Sequence, residues 1–524
     1  MSNLRKIRVG AGLAAALVLA LLPPAAHAET ATAPAVSAGV KWTPCADTPE
    51  VDCGSITVPA DWSVKGGPTI RIALARRKAS DPAARIGSLL IDPGGPGASG
   101  TAVVRGSIGE SFSPEVRRRF DLVGLDPRGV GDSTQVLCDQ TTTSGVTATD
   151  LLLATTAQFN RVRTASRELG QSCRKHSGPV FEALDSKSVA RDLDAVRAAL
   201  GDRKLTFYGI SYGTLMGQEY AQLFPQRVRG LVLDSNMDHS RRTTWSFLRS
   251  EAAAVQKSFD EYVAWCRRSK ACALHGQDVR RVTARLLARA GRGELLEPGT
   301  TEPIDQFILL DDIQFSFMNP SWKQLSQRQA SLLSGTPTTA RAMKTPSQPG
   351  SPLSLRTRLA TGSGFGSEPA ADPEPDPTGI FCSDWRLPIR SAAEARSLRR
   401  RLEKVAPDMK IPAQAWAMTA VCMNWPAAVR NPQQPLHRTK APVLMLNSRF
   451  DPVTPLGWAR TAARQSGATL LTYDGWGHGV YSMHSSCVSA ATERFLTSAK
   501  VPAPGTRCAA VDPEPSRAAD RRSR

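Results

Sequence analysis

The chain has 524 residues and a formal charge of +19, with 41% hydrophobic and 22% charged residues. This is the composition of an ordinary globular protein, and the length is sufficient for a sizeable buried core. The short basic clusters at 117–119, 399–401 and 521–524 contain no interleaved aromatic residues. We therefore expect solvated basic surfaces and no nucleic-acid partner.

The first 28 residues are typical of a secretory signal peptide. Three basic residues between positions 5 and 8 precede an apolar run at 10–22, and an A-x-A cleavage site follows at 26–28. We predict a secreted, extracellular protein whose mature chain starts at Glu29. We expect no stable membrane insertion after cleavage, and an uncleaved anchor helix is the alternative.

Ten cysteines in an exported chain predict disulfide bonds. The simplest hypothesis pairs nearest neighbours, as 45–53, 138–173, 266–272, 382–422 and 487–508. None of the cysteines forms a CxxC pair and few histidines lie near them, so we predict no metal site. No cofactor is implied either.

Short apolar strands alternate with helices after a flexible N-terminal segment at 29–40. The predicted strands lie at 55–58, 69–75, 87–92, 120–126, 204–209 and 228–234, and the predicted helices at 185–200 and 214–223. Such alternation predicts an α/β fold with a mostly parallel sheet and helices on both faces. Residues 41–239 are assigned to the first part of this core.

The alternation stops at 240–435, where helical patterns and loops dominate. Within this stretch the residues at 334–378 are dense in Pro, Gly, Ser and Thr and predict a flexible loop. Strand patterns return at 441–447 and 468–473, and a last helix follows at about 485–497. The sequence thus predicts a core completed by 436–510 and interrupted by a large, mainly helical cap. A disordered basic tail is expected at 511–524.

A G-x-S-x-G motif at 209–213 stands between a predicted strand and a predicted helix. In that context it indicates a nucleophile elbow, a sharp turn that exposes a serine hydroxyl above the sheet. Ser211 is therefore the predicted nucleophile, and the backbone N–H of Tyr212 is a predicted oxyanion donor. The alternative is a glycine-rich turn with a passive serine.

A second oxyanion donor is predicted in the glycine-rich turn at 93–97. This turn follows a core strand and precedes the nucleophile in the chain, and its glycines allow close approach of the backbone to a substrate. Pro96 has no N–H, so Gly95 is the predicted donor. An ordinary strand-to-helix turn is the alternative.

The predicted acid and base follow the nucleophile in the order Ser, Asp, His. Asp451 comes directly after a predicted strand, and His478 lies between the last predicted strand and the last helix. His484 is the second candidate for the base and Asp234 the second candidate for the acid. Thr454 either orients Asp451 or is a turn residue.

Two further charged residues lie near the same end of the sheet. Asp126 and Arg128 follow a predicted strand in the sequence DPRGVGDS. We interpret them as a charge pair that braces the loop, without a direct catalytic role.

Taken together, these motifs resemble the secreted tripeptidyl aminopeptidase branch of the prolyl-aminopeptidase-like serine peptidases. The resemblance extends over nearly the whole mature chain and depends on motifs at 42–54, 92–97, 126–129, 209–213, 382–384, 422–425, 449–451 and 477–479. It implies a helical cap over an α/β-hydrolase core and a triad of Ser211, Asp451 and His478. Pro93 stands where many members of the wider group have His, which weakens a strict prolyl-aminopeptidase assignment.

The resemblance implies a serine exopeptidase that removes short peptides from free N termini. Such an enzyme needs a carboxylate for the substrate ammonium. Asp384 is preferred because it lies between Cys382 and Trp385, and Asp311, Asp312 and Glu261 are further candidates. We expect peptide substrates. An esterase or lipase on the same triad is the main alternative, and a non-enzymatic binding protein is a weaker one.

Overall fold

The computed structural model of the protein describes three stretches of the chain, residues 39–106, 111–335 and 372–513. The predicted signal peptide, nearly all of the flexible N-terminal segment, most of the predicted loop at 334–378 and most of the basic tail lie outside them. The described ends of that loop belong to regular structure, because one helix ends at Ser334 and another begins at Thr378.

The described strands form one large sheet and one small one. They are β1 (Thr43–Pro44), β2 (Asp52–Pro59), β3 (Thr69–Arg77), β4 (Gly87–Asp92), β5 (Phe120–Leu125), β6 (Leu137–Cys138), β7 (Leu205–Ile210), β8 (Val228–Asp234), β9 (Glu374–Pro375), β10 (Val443–Phe450), β11 (Thr469–Trp476) and β12 (Arg507–Cys508). The large sheet has the order β1-β2-β3-β5-β4-β7-β8-β10-β11-β12, and β6 pairs with β9 apart from it.

The large sheet is mostly parallel, which confirms the predicted fold class. All neighbours from β5 through β4, β7, β8, β10 and β11 to β12 are parallel, whereas β1, β2 and β3 pair antiparallel at one edge. Strands β4 and β5 are buried at every position, as expected when both faces are covered. The parallel pairing places the carboxyl ends of β7, β8, β10 and β11 at one edge of the sheet.

The described helices flank the sheet and fill the insertion. They are α1 (Gly100–Arg105), α2 (Pro114–Arg119), α3 (Thr156–Ser177), α4 (Ser186–Ala199), α5 (Gly213–Leu223), α6 (Thr244–Arg268), α7 (Val279–Gly291), α8 (Gln306–Phe315), α9 (Trp322–Ser334), α10 (Thr378–Asp384), α11 (Ala392–Val405), α12 (Ala413–Val421), α13 (Leu456–Ser466) and α14 (Ser486–Ser498). Short 3-10 helices lie at Pro82–Ala84, Gln140–Thr143, Ala148–Leu152, Gly178–Ala183, Pro225–Arg227 and Val480–Met483. In the described stretches, no helix combines the length and apolar character needed to cross a membrane.

The hydrophobic core lies on both faces of the sheet, because neighbouring residues of a strand point in opposite directions. Leu90 of β4 packs in the same cluster as Val189 and Leu193 of α4. The next residue, Ile91, belongs to the opposite cluster, which includes Phe495 of α14. Helices therefore cover the sheet from both sides, as the alternating pattern predicts.

The cap is the segment between β8 and β10, and its described helices are α6 to α12. Its first helix begins where the Thr243 hydroxyl accepts a hydrogen bond from the Ser246 N–H. The cap is also joined to the core through the small sheet, in which Leu137 pairs with Pro375 and Cys138 with Glu374.

Five disulfide bonds join neighbouring cysteines, which confirms the predicted pairing. They are Cys45–Cys53, Cys138–Cys173, Cys266–Cys272, Cys382–Cys422 and Cys487–Cys508. The last of these ties α14 to the short edge strand β12.

Asp126 and Arg128 brace the core, but the prediction that they pair with each other is wrong. Arg128 is fully buried and donates to both carboxylate oxygens of Asp192, each at 2.7 Å. Asp126 instead accepts hydrogen bonds from the side chains of Ser99 and Thr101. The Arg128 side chain is long enough to pair with a carboxylate 64 residues further along the chain. Two hydroxyls near the start of α1 supply the hydrogen-bond donors for Asp126.

Candidate active site

The turn between β7 and α5 has the geometry of a nucleophile elbow. Ser211, the predicted nucleophile, has a φ of 56°, in the left-handed region that non-glycine residues seldom adopt. A side chain at Gly213 would place its Cβ 2.8 Å from the Asp92 carbonyl oxygen of β4. The turn is therefore too tight for a larger residue, which explains why the helix begins on glycine.

His478 and Asp451 lie together at the carboxyl edge of the sheet. The His478 Nδ1 is 3.0 Å from Asp451 Oδ2 and 3.1 Å from Oδ1, and both side chains are buried. His478 follows β11, and its backbone N–H donates to the carbonyl of Met318 in the cap at 2.8 Å. With Nδ1 occupied by the acid, Nε2 is the ring nitrogen left for a proton from a nucleophile.

The electrostatic surroundings of His478 favour its charged form. Burial lowers the pKa of His478, but the charge and hydrogen bond of Asp451 and the charge of Asp234 raise it, and the net result is a pKa above its ordinary value. A carboxylate that stabilises imidazolium in this way is what a base needs when it takes the proton of a serine.

Thr454 contacts both members of this pair. Its Oγ1 donates to Asp451 Oδ2 at 2.8 Å and lies 3.3 Å from His478 Nδ1, while its N–H donates to Asp451 Oδ1 at 2.8 Å. The sequence leaves two roles open for Thr454, that of a residue that orients Asp451 and that of a simple turn residue. These contacts favour the first.

The second candidates for acid and base have other surroundings. Asp234, at the end of β8, accepts hydrogen bonds from the N–H groups of Val480 and Tyr481, at 2.7 and 2.9 Å, and from the Tyr208 hydroxyl. It thereby fixes the loop after His478. His484 is exposed, at the end of a short 3-10 helix.

The two predicted oxyanion donors lie on adjacent segments of the backbone. A Cβ at Gly94 would lie 2.3 Å from the carbonyl oxygen of Ile210 and 2.9 Å from the Tyr212 nitrogen, so this turn packs directly against the elbow. Neither the Gly95 N–H nor the Tyr212 N–H donates to an acceptor within the described stretches. Both N–H groups remain predicted oxyanion donors. They lie on neighbouring backbone segments, and no acceptor in the described stretches competes for them.

Comparisons with known proteins agree with this architecture. The family model of TAP-like proteins matches residues 409–508, which contain Asp451 and His478. Serine protease Hip1 of Mycobacterium tuberculosis (strain ATCC 25618 / H37Rv) is 30% identical over 503 residues, covering 91% of this chain and 92% of that protein. The chain belongs to the tripeptidyl aminopeptidase-like family of α/β-hydrolases. It is a serine hydrolase.

Two other relatives of this TAP-like hydrolase have different names. Tripeptidyl aminopeptidase of Streptomyces lividans is 28% identical over 495 residues, covering 92% of this chain and 89% of that protein. Carboxylesterase B of Mycobacterium tuberculosis (strain ATCC 25618 / H37Rv) is 30% identical over 501 residues, covering 92% of each chain. The scaffold is shared, and the substrate class has to be argued from the site.

In this TAP-like hydrolase Asp384 is enclosed by protein, which corrects its prediction as the amine anchor. The side chain is fully buried and accepts four hydrogen bonds, two from Ser186 and one each from Tyr212 and Asn431. Burial, followed by the charge of Asp185, raises the pKa of Asp384 to about 7. Its oxygens are already occupied, so it cannot receive a substrate ammonium without losing these donors.

The other carboxylates predicted as anchors for the substrate amine lie elsewhere in the cap. Glu261 of α6 accepts a hydrogen bond from Trp476 Nε1 at 3.0 Å and lines a charged cleft of about 860 Å³. Asp311 and Asp312 lie on α8, where Asp311 is buried.

A carboxylate that was not predicted from the sequence lies on the first cap helix. Glu251 is only 5% exposed, and no N–H or O–H of the described residues donates to it. Burial, followed by the charge of Asp451, raises its pKa well above the ordinary value. On the same helix, the Phe247 ring stacks on Trp458, and the Ser258 hydroxyl lies 3.4 Å from the Phe450 carbonyl.

The position of Glu251 had a detectable signal in the sequence. The apolar stripe of α6 includes Leu248, Ala252, Val255 and Phe259, and Glu251 lies on the same buried side. An acidic residue on the buried stripe of an amphipathic helix needs a partner or a role.

Proposed function

We propose that this protein is a secreted serine aminopeptidase that releases short peptides, tripeptides among them, from the free N termini of peptides. The chemistry is acyl transfer through a covalent intermediate on Ser211. The name of the Streptomyces lividans relative, tripeptidyl aminopeptidase, supports this substrate class.

The proposed reaction uses the roles predicted for Ser211, Asp451 and His478. His478 Nε2 takes the proton of the Ser211 hydroxyl as Oγ attacks the scissile carbonyl, and the N–H groups of Gly95 and Tyr212 stabilise the oxyanion. His478 then gives that proton to the leaving amine. A water molecule, deprotonated by the same base, hydrolyses the acyl-enzyme and regenerates the serine.

Glu251 is the observation that favours an aminopeptidase. Burial, followed by the charge of Asp451, raises the pKa of Glu251 well above its ordinary value, so the site favours the neutral carboxyl in the absence of a cation. A substrate ammonium would lower that pKa, so the carboxyl would lose its proton to solvent and bind the ammonium as an ion pair. The helix that carries Glu251 contacts the end of β10, where the Ser258 hydroxyl lies 3.4 Å from the Phe450 carbonyl, and Asp451 directly follows that strand. We therefore assign the amine anchor to Glu251.

Secretion is supported by the sequence and by the disulfides. The N-terminal residues have the pattern of a signal peptide, and all ten cysteines are paired. Five disulfides persist in an oxidising compartment and are unusual in a reducing cytosol.

A carboxylic-ester hydrolase is the second candidate function. The relative named carboxylesterase B is as similar in sequence as the serine protease. In addition, aromatic rings cluster where the cap meets the core, with Phe247 against Trp385, Trp458 and Phe381. An apolar acyl group would be compatible with that cluster.

The test compares one chromogenic tripeptide anilide with a free and an acetylated N terminus. We expect cleavage of the free form only, complete dependence on Ser211 in the Ser211→Ala variant, and a KM about 10- to 100-fold higher in Glu251→Gln. Glu261→Gln, a second acid-to-amide change on the same helix, is expected to leave KM unchanged. Equal cleavage of both anilides would contradict the aminopeptidase, and cleavage of short esters alone would favour the esterase.

A further inference from the structure

Asp384 connects the cap to the nucleophile elbow. It is the last residue of α10, and its carboxylate accepts from the Ser186 N–H at 2.9 Å, the Ser186 hydroxyl at 2.7 Å and Asn431 Nδ2 at 3.0 Å. The shortest bond is from the Tyr212 hydroxyl, at 2.6 Å. Two carboxylate oxygens with two donors each use the acceptor capacity of the group in full.

Tyr212 has two separate tasks in this arrangement. Its backbone N–H is a predicted oxyanion donor, whereas its side chain is 1% exposed and extends towards the cap. The centroid of the Tyr212 ring lies 6.4 Å from that of Phe381 on α10, and the Tyr212 hydroxyl donates a hydrogen bond to Asp384. Tyr212 is the N-cap residue of α5, but its side chain makes no capping hydrogen bond to that helix. The side chain is held instead by Phe381 and Asp384 of the inserted cap domain.

The two connections between cap and core meet at the same place. His239 lies at the entrance to the cap. Its Nε2 donates a hydrogen bond to the backbone carbonyl oxygen of Asp384 at 2.8 Å. Asn431, near the exit, donates both to Asp384 and to Glu219 of α5, the latter at 3.2 Å. A displacement of α10 would therefore be transmitted to the helix that follows the nucleophile.

We propose that Asp384 is a positioning residue that holds the oxyanion donor Tyr212 in place, so that the cap contributes to transition-state stabilisation as well as to substrate access. The proposal rests on the proposed acyl-transfer role of Ser211 but not on the choice between peptide and ester. An oxyanion donor acts only when its N–H points at the developing charge, and loss of a whole donor costs about 100- to 1000-fold in kcat. A tilt of the Tyr212 backbone would cost part of that.

The test uses Tyr212→Phe and Asp384→Asn in the full-length mature protein. Tyr212→Phe removes one oxygen atom and keeps the ring in contact with Phe381. The matched control is Tyr262→Phe, because Tyr262 is an equally buried tyrosine whose hydroxyl donates to Gln329 at 2.8 Å inside the cap. Turnover is measured on p-nitrophenyl acetate and on the free tripeptide anilide.

We expect kcat to fall about 10-fold in both variants with little change in KM, and to be unchanged in the control. The inhibition constant of a tripeptide aldehyde, which forms a tetrahedral adduct with the serine, should rise by a similar factor. The inhibition constant of the free tripeptide, which makes no adduct, should stay constant. The double variant should be no worse than the poorer single variant, because Tyr212→Phe removes, and Asp384→Asn weakens, the same hydrogen bond.

The proposal is overturned if Tyr212→Phe keeps the wild-type kcat, or if aldehyde and tripeptide affinities fall together, as a general loss of structure would cause. Thermal melts identify an Asp384→Asn protein that fails to fold, in which case Tyr212→Phe alone decides. If the anilide is not cleaved but the acetate ester is, the aminopeptidase function fails, and the ester kinetics still decide the role of Asp384.

Discussion

A single hydroxyl, that of Thr454, contacts both the predicted acid and the predicted base. Asp451 accepts three hydrogen bonds from the turn that follows it, two from Thr454 and one from the Val453 N–H. These donors fix the plane of the carboxylate, and the carboxylate in turn fixes the imidazole. The orientation of the base therefore depends on a residue that takes no proton itself.

We predict that Thr454→Val lowers kcat about 10- to 100-fold with little change in KM, because the base loses its orientation while the substrate contacts remain. The pKa of His478 is raised by Asp451, so activity decreases as the pH falls through that raised value and the base becomes protonated. The Thr454 hydroxyl donates to Asp451 and thereby offsets part of the negative charge of the carboxylate. Without this hydroxyl, the Asp451 charge should raise the pKa of His478 further. The acid limb of the kcat/KM profile should therefore move to higher pH.

Thr454→Ser keeps the hydroxyl and is the control for this prediction. It should retain most of the wild-type kcat and the wild-type acid limb. Equal activity of the Val and Ser variants would show that the hydroxyl does not orient the base.

At the scale of elements, two tight turns at the carboxyl edge of the sheet pack against each other. The turn after β4 carries Gly94 and Gly95, and the elbow after β7 carries Ser211 and Tyr212. Gly94 has a φ of 88°, and any side chain there would meet the Ile210 carbonyl at 2.3 Å. The glycine at 94 therefore sets the distance between the two predicted oxyanion donors.

We predict that Gly94→Ala lowers kcat/KM about 100-fold or more, because the turn must move away from the elbow and take Gly95 with it. The measurement is ester and anilide turnover, with circular dichroism to confirm folding. Gly145→Ala is the control, since a Cβ at Gly145 meets no atom within 4 Å. A folded Gly94→Ala enzyme with wild-type turnover would exclude this turn from the oxyanion hole.

Much at this scale could be predicted from local patterns. The strand predicted at 204–209 lies at Leu205–Ile210, and the helix predicted at 214–223 lies at Gly213–Leu223. Apolar runs bounded by glycines report such elements directly. The edge strand β12 was missed because two residues of pairing leave no periodic signal. Glu251 was missed because an acidic residue within an apolar stripe stands out only once the bounds and the buried side of its helix are known.

At the scale of the whole molecule, the sequence separates contacts that the fold brings together. Tyr212 and Asp384 are 172 residues apart in the chain, and no short-range pattern connects them. For that reason Asp384 could be noticed as an acidic residue in a disulfide-linked segment, but its burial and its donors could not be predicted. The same limit explains the wrong pairing of Asp126 with Arg128.

The buried pair of Arg128 and Asp192 ties the first strands of the sheet to α4. Besides its two bonds to Asp192, the guanidinium donates to the carbonyls of Pro59, Ala60 and Ala183. Removal of one partner leaves an uncompensated buried charge, which costs more than the pair itself contributes. The bond is therefore a sensitive point for the stability of the entire core.

We predict that Arg128→Met lowers the free energy of unfolding by about 3–5 kcal/mol, measured by urea denaturation with the disulfides intact. Arg118→Met, at an exposed ion pair with Glu115, is the control and should change it far less. The combined change of Arg128→Met with Asp192→Leu should be less destabilised than Arg128→Met alone, because no charge is then left buried. If the single and the double variant unfold alike, the loss comes from the carbonyl contacts of the guanidinium, and the charge pair does not dominate the stability of the core.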